Sequence, residues 1–177
     1  MVRYIAFLRG INVAGQKLIK METLRKTMTD AGFLNVATYI QSGNIVFDAL
    51  GTDSGLIGPA IEDLVENTFG FRTDVIVRKL SEIKAIVNSI GFSELQSDEE
   101  KKYYISFLKE SYPGPLTVPE YSKNRDIEIY YKGRMEFYSI CTLYKGNYGF
   151  PNAYIEKLTG IPATTRNPIT LRKITEL

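Results

Sequence analysis

The chain has 177 residues, 44% of them hydrophobic, which suits one large domain or two small lobes and not a disordered tail. With 22 Lys and Arg against 20 Asp and Glu the net charge is only +2, which argues against a protein that coats nucleic acid. Histidine is absent, and this excludes Ser-His-Asp and Cys-His catalysis and every Cys/His zinc site.

The apolar run at residues 3–8 predicts a first strand. Met21, Leu24, Met28 and Ala31 then fall at helical spacing and close on Gly32, where a left-handed cap belongs. Residues 36–40 and 44–47 are rich in strand formers and are separated by Gln41, Ser42 and Gly43, a hairpin signal with a glycine available for positive φ. Ile57, Ile61, Leu64 and Val65 form a second helical stripe that ends at Gly70, and residues 73–79 supply a fourth strand. The first half therefore reads βαββαβ, the split pattern of ferredoxin-like folds.

The second half repeats this order of elements with different sequence. A linking helix is predicted over 81–90, a strand over 103–108, and a short helix over 117–122, where Thr117 and Glu120 have capping-box spacing. Strands at 126–131 and 134–140 turn at Lys132 and Gly133, and a helix at 152–158 stops before Gly160. No closing strand is predicted. Asn167 and Pro168 read as N-cap and first residue of a last helix reaching Thr175. The expected fold class is α+β, with two ferredoxin-like lobes built on antiparallel sheets, the second incomplete. Residues 1–79 form the first lobe, 80–97 a linking helix and loop, and 98–177 the second lobe with its C-terminal helix.

The segment "LRGINVAGQK" joins the first strand to the first helix, at an end of the sheet where helix amides attract anions. Gly10 and Gly15 allow backbone N–H groups to approach a ligand, and Arg9, Lys17 and Lys20 supply charge. A plain turn with solvated cations accounts for the same residues, and the glycine spacing matches neither the P-loop nor the dinucleotide fingerprint. The expected ligand-binding set is Arg9, Asn12 and Lys17, joined by Arg166, for which the alternative is a solvated arginine beside a helix cap. Gln41, Ser42 and Asn44 form a second polar patch of neutral donors and acceptors, all of them also ordinary turn formers. With the first and third strands taken as parallel, that hairpin falls at the opposite end of the sheet from the cationic loop. Ser42 lacks a histidine to activate it, and no catalytic residue is identified.

No carboxylate cluster has metal-ligand spacing, "SDEEKK" at 97–102 reads as a solvated loop, and no cofactor or metal is expected. Cys141, the only cysteine, sits in an apolar strand and reads as a buried, inert thiol. Lys145 and Tyr148 share a glycine-bearing segment that a loop explains as well as a site does.

Three stretches, "FLRGINVAGQK" at 7–17, "YIQSGNIVF" at 39–47 and "TTRNPITLRKI" at 164–174, resemble the signatures of the mainly bacterial domain-of-unknown-function family 1697. Ala14 stands where that family usually has a second glycine, and Pro168 where it usually has tryptophan. The resemblance implies a two-lobed α+β fold without an established activity.

Two functional readings follow. The first is a pocket for a phosphate- or carboxylate-bearing small molecule near the loop after the first strand, with no reaction specified. The alternative is a ferredoxin-like module that binds single-stranded nucleic acid or a protein partner on an open sheet face. Ten of the twelve tyrosines lie between Tyr103 and Tyr154 and would supply stacking surfaces, or are half-buried strand residues. The strands "YIAFLRG" and "NIVFDA" lack the RNA-recognition signature, so nucleic acid is the weaker partner. No apolar run approaches the roughly 20 residues of a membrane span. The amino terminus is too short and too soon charged for a signal peptide, so a cytoplasmic location is expected. Nothing in the sequence fixes an oligomeric state.

Overall fold

The computed structural model describes residues 1–50, 54–89, 92 and 95–177. They form two compact units, Met1–Ile86 with Lys173–Leu177, and Val87–Arg172. The fold is mixed α and β, with five helices and two antiparallel sheets among the described residues.

In the first unit the order is β1 (Val2–Leu8), α1 (Met21–Asp30), β2 (Leu34–Tyr39), β3 (Asn44–Ala49), α2 (Ser54–Phe69) and β4 (Val75–Lys79). The helical stripe behaves as its spacing requires: Met21, Leu24 and Met28 of α1 are buried. They pack with Ile57, Ile61 and Val65 of α2 onto Tyr4, Ala6 and Leu8 of β1. Gly32 and Gly70 follow the two helices at φ +92° and +78°, a left-handed region that glycine enters without steric cost. The sheet order is β2-β3-β1-β4, and every adjacent pair is antiparallel.

That register corrects the expectation that the first and third strands are parallel. Val2 lies opposite Ala49 and Phe7 opposite Asn44. The reason is the chain path. β1 and β2 are joined by a helix and run the same way, β2 and β3 are joined by a hairpin and run opposite ways, so β3 must oppose β1. The end of β1 and the β2–β3 turn therefore share one end of the sheet.

α3 (Leu80–Val87) is the linking helix, and its predicted end at Ile90 lies outside the described residues. The second unit contains β5 (Lys101–Leu108), β6 (Glu120–Tyr121), β7 (Ile127–Lys132), β8 (Glu136–Tyr144), β9 (Asn147–Tyr148), α4 (Pro151–Thr159) and β10 (Ala163–Arg166). α5 (Pro168–Thr175) follows. The strand order is β10-β5-β8-β7-β6, with β9 paired to β8. Leu108, Ile129, Phe137, Ile155 and Ala163 form one core cluster of this unit.

Two expectations fail here. The helix over 117–122 is absent and β6 stands in its place, with Glu120 opposite Ile129. Pro119 explains this, because a proline disfavours the α conformation in the residue before it. The closing strand, which the sequence does not predict, is β10, paired antiparallel to β5 from Ala163 opposite Leu108 to Arg166 opposite Ile105. What the second unit lacks is a helix between its first two sheet-forming stretches. The last helix begins as predicted, with the Thr170 N–H donating to Asn167 Oδ1 at 2.7 Å.

Candidate functional site

The connection from β1 to α1 is held at its root by both neighbouring strands' ends. Leu8 N–H donates to Gly43 O at 2.8 Å and Arg9 N–H to Asp74 O at 2.9 Å. Further on, Gln16 N–H donates to Val13 O at 2.9 Å. Ala14 and Gly15 between them have φ of +49° and +75°, the backbone of a type I′ turn. Gly15 suits that turn, while the Ala14 methyl sits in a region that costs an L-residue about 1 kcal/mol. Gly15 is thus explained by turn geometry.

Asn12 also has positive φ, +54°, which asparagine tolerates better than most residues. Its Nδ2 donates to Ile19 O at 3.1 Å and Gln41 O at 2.7 Å, and its Oδ1 accepts from Ile19 N–H at 2.8 Å. The side chain closes the loop on itself and ties it to the β2–β3 hairpin. Loop and hairpin therefore touch, in contrast to the opposite-ends expectation, as the antiparallel β1–β3 pairing requires.

Within the hairpin, Gly43 has φ +75° and lies against Leu8 and Ile11, so close that an added Cβ would meet Leu8 Cβ at 2.8 Å. Asn44 is fully buried and donates from Nδ2 to Tyr39 O at 3.1 Å and to Ser42 Oγ at 2.9 Å. Ser42 and Asn44 shape the turn, while Gln41 is exposed at its tip.

Arg9 and Lys17 lean the other way, toward the connection between α2 and β4. Arg9 Nη1 is 3.7 Å from Asp74 Oδ2, and the Thr73 hydroxyl donates to Arg9 O. Lys17 Nζ donates to Arg72 O at 2.9 Å and stands 5.9 Å from the centre of the Phe71 ring.

The space between loop, hairpin and α1 is an open cleft of about 530 Å³ lined by Asn12, Leu18, Lys20, Glu22, Arg25 and Gln41 among others. Lys20 is the N-cap of α1, and among the described residues no side chain caps this helix end. The N–H groups of the first turn, at Met21, Glu22 and Thr23, thus have neither an intrahelical acceptor nor a side-chain cap. Arg25, one turn further on, is held by its Nη1 donating to Thr38 Oγ1 at 2.6 Å. Glu22 is the one carboxylate among the lining residues. Arg25 was not foreseen, because a single arginine in an amphipathic helix reads as solvated; only its place after an uncapped start hints at more.

Arg166 belongs to the second unit and is not a solvated residue beside a cap. It ends β10, buried, with Nη1 donating to Thr164 Oγ1 at 2.7 Å and Thr165 O at 2.9 Å. Burial pushes its pKa down to about 10. Thr164 and Thr165 are buried beside it, Thr165 sharing a 2.7 Å hydrogen bond with Ser106.

Three tyrosines of the second unit pack on one another. Tyr138 packs edge-on against Tyr130 and Tyr131 at 6.2 and 4.9 Å, and burial pushes the Tyr130 hydroxyl up to about 12. Cys141 is fully buried, and desolvation aided by Asp126 pushes its thiol up to about 12. Among the described residues no group of three or more His, Cys, Asp or Glu could hold a metal ion, and no helix is long and apolar enough to cross a membrane.

No curated protein matches the chain. A solved structure that resembles it is the conserved bacterial protein SP0830 from Streptococcus pneumoniae, 24% identical, with a TM-score of 0.65 over 99% of this chain and 97% of that one. At that identity the likeness speaks for the fold alone. Residues 1–138 match the family described as protein of unknown function DUF1697, and over that span, well beyond half its length, the chain belongs to that family.

Proposed function

We propose that the cleft at the amino end of α1 binds a small ligand through a phosphate or carboxylate group. The observation that carries this reading is the uncapped start of α1, opening on a cleft that Lys20 and Arg25 also line. First-turn amides and two cations are what an anion needs, and the dipole of the helix adds to them. Arg9, Asn12 and Lys17 act as the frame: they fix the loop against residues 71–74 and against Gln41, so that Lys20 is presented at the helix start. Gln41 offers a neutral amide for the rest of the ligand. Glu22 opposes the anion and limits its affinity.

The reading treats each sheet as a ferredoxin-like lobe, supported by the order β2-β3-β1-β4 in the first unit and the matching β7-β8-β5-β10 in the second. It places the protein in the cytoplasm, a setting that a lone buried thiol suits.

The test is a thermal-shift screen of inorganic phosphate, sugar phosphates, carboxylates and short oligonucleotides. A ligand at ten times its Kd adds about 1.4 kcal/mol to stability and so raises Tm by a few degrees. Arg25→Ala should weaken that ligand about tenfold, the weight of a charge-assisted hydrogen bond near 1.4 kcal/mol. Glu22→Gln should strengthen it severalfold. A ligand whose affinity ignores both substitutions does not occupy this cleft. Selective stabilisation by oligonucleotides alone would favour the nucleic-acid reading.

A further inference from the structure

The two units share more than the order of their elements. Residues 4–9 read YIAFLR and residues 104–109 read YISFLK. The first string is the heart of β1 and the second of β5, and their partners coincide. Ile5 pairs with Arg78 and Leu8 with Val75, while Ile105 pairs with Arg166 and Leu108 with Ala163. On the other side Ala6 pairs with Ile45 and Ser106 with Phe137.

The correspondence continues past the strand ends. Leu8 N–H donates to Gly43 O and Leu108 N–H to Met135 O, each at 2.8 Å. Arg9 N–H donates to Asp74 O at 2.9 Å, as Lys109 N–H does to Pro162 O at 2.8 Å. A slip of one residue would turn every side chain to the other face, so the similar strings present the same positions to the same neighbours in both units. The buried arginines Arg78 and Arg166 occupy equivalent positions, one in each unit.

This equivalence assigns a counterpart to the first cleft. The loop after β5 and the β7–β8 turn stand where the loop after β1 and the β2–β3 turn stand in the first unit. Between them lies a cleft of about 740 Å³ lined by Tyr112, Pro113, Tyr131, Lys132, Arg134 and Glu136 among others. Its chemistry has changed. No helix follows β5 here, so no helix-end amides are presented, and the segment is held instead by Tyr112 N–H donating to Arg134 O at 3.2 Å. Lys132 Nζ donates to Gly114 O at 2.7 Å and stands 5.0 Å from the centre of the Tyr112 ring. Tyr131 is 49% exposed while braced edge-on by Tyr138, which leaves ring surface available to a ligand.

We propose that the chain is an internal duplication and that this second cleft is a separate binding site. Its ligand is a small anion joined to a flat ring, with Lys132 and Arg134 meeting the charge and Tyr131 the ring. The inference rests on the first-cleft reading only for the place at which a ligand enters.

The experiment titrates the full chain with uridine 5′-monophosphate and, separately, inorganic phosphate, following chemical shifts and calorimetric stoichiometry. Wild type, Arg134→Ala, Tyr131→Ala and the double variant Lys20→Ala/Arg25→Ala are compared, each first shown to melt cooperatively. The expected result is that the nucleotide binds more tightly than phosphate. Arg134→Ala and Tyr131→Ala should each weaken it about tenfold, a loss of about 1.4 kcal/mol. Lys20→Ala/Arg25→Ala should leave that event unchanged. Absence of binding at millimolar nucleotide overturns the proposal, as does binding that survives both second-cleft substitutions. Nucleotide binding abolished only by Lys20→Ala/Arg25→Ala refutes the second site while leaving the first-cleft reading intact.

Discussion

Replacing Asn12 by alanine should be among the most costly polar substitutions in the first unit, although the residue is only partly buried. Its carboxamide makes three hydrogen bonds, to Ile19 O, Gln41 O and Ile19 N–H, at 3.1, 2.7 and 2.8 Å. Each is worth about 0.5–1.5 kcal/mol net, and partial access of water to the abandoned backbone groups favours the lower end. Alanine must also hold φ +54°, which costs it about 1 kcal/mol more than it costs asparagine. Together these give a loss of about 2–3 kcal/mol. Asn12→Gly separates the two contributions, since glycine keeps the backbone and loses only the hydrogen bonds. Urea unfolding followed by circular dichroism reads the effect as a lowered midpoint at unchanged slope. Variants both within about 0.3 kcal/mol of wild type would refute the idea that Asn12 is the strut of the loop.

Other outcomes follow from single contacts. Gly43→Ala, forced against Leu8 Cβ at φ +75°, should destabilise the fold by about 2–4 kcal/mol in the same urea assay, whereas a change below about 1 kcal/mol would mean the turn yields easily. Ala14→Gly should relieve the left-handed methyl and leave stability unchanged or raised by up to about 1 kcal/mol; a clear loss would contradict the turn assignment. Cys141 should resist thiol reagents in the native state and react on unfolding, since burial holds its proton to about 12. The unfolded thiol releases its proton near the ordinary 9.0, so the native state binds more protons in between and stability falls as pH rises from 9 toward 12. Cys141→Ala should flatten that alkaline slope, and an unchanged slope would assign it to tyrosines such as Tyr130 instead.

Much of the first unit was legible because its signals are local. The 21, 24, 28 spacing, the glycines after each helix and the Gly43 turn each act within a few residues. Strand direction is not local in that sense, and the mistaken parallel pairing of β1 with β3 separated a loop and a hairpin that Asn12 joins. β10 escaped notice because its burial is that of Thr164, Thr165 and Arg166, polar residues satisfied by one another and by Ser106, with no apolar alternation to mark them. At 117–122 the capping pattern of Thr117 and Glu120 is overruled by Pro119. The recurrence of YIAFLR as YISFLK was open to view in the sequence, but its weight comes from the shared register, which only the structure supplies. The lining of the first cleft was half legible: the loop and Lys20 stood out by their sequence, whereas Arg25 matters through the position of its helix.

The most direct test of the anion-cleft account is a titration of isotopically labelled protein with inorganic phosphate in a chloride-free buffer, watching backbone amides. The account predicts saturable shifts led by the N–H groups of Met21, Glu22 and Thr23, reduced in Arg25→Ala and enlarged in Glu22→Gln at the same phosphate concentration. First-turn amides that stay still while resonances elsewhere move, or shifts indifferent to both substitutions, would contradict it.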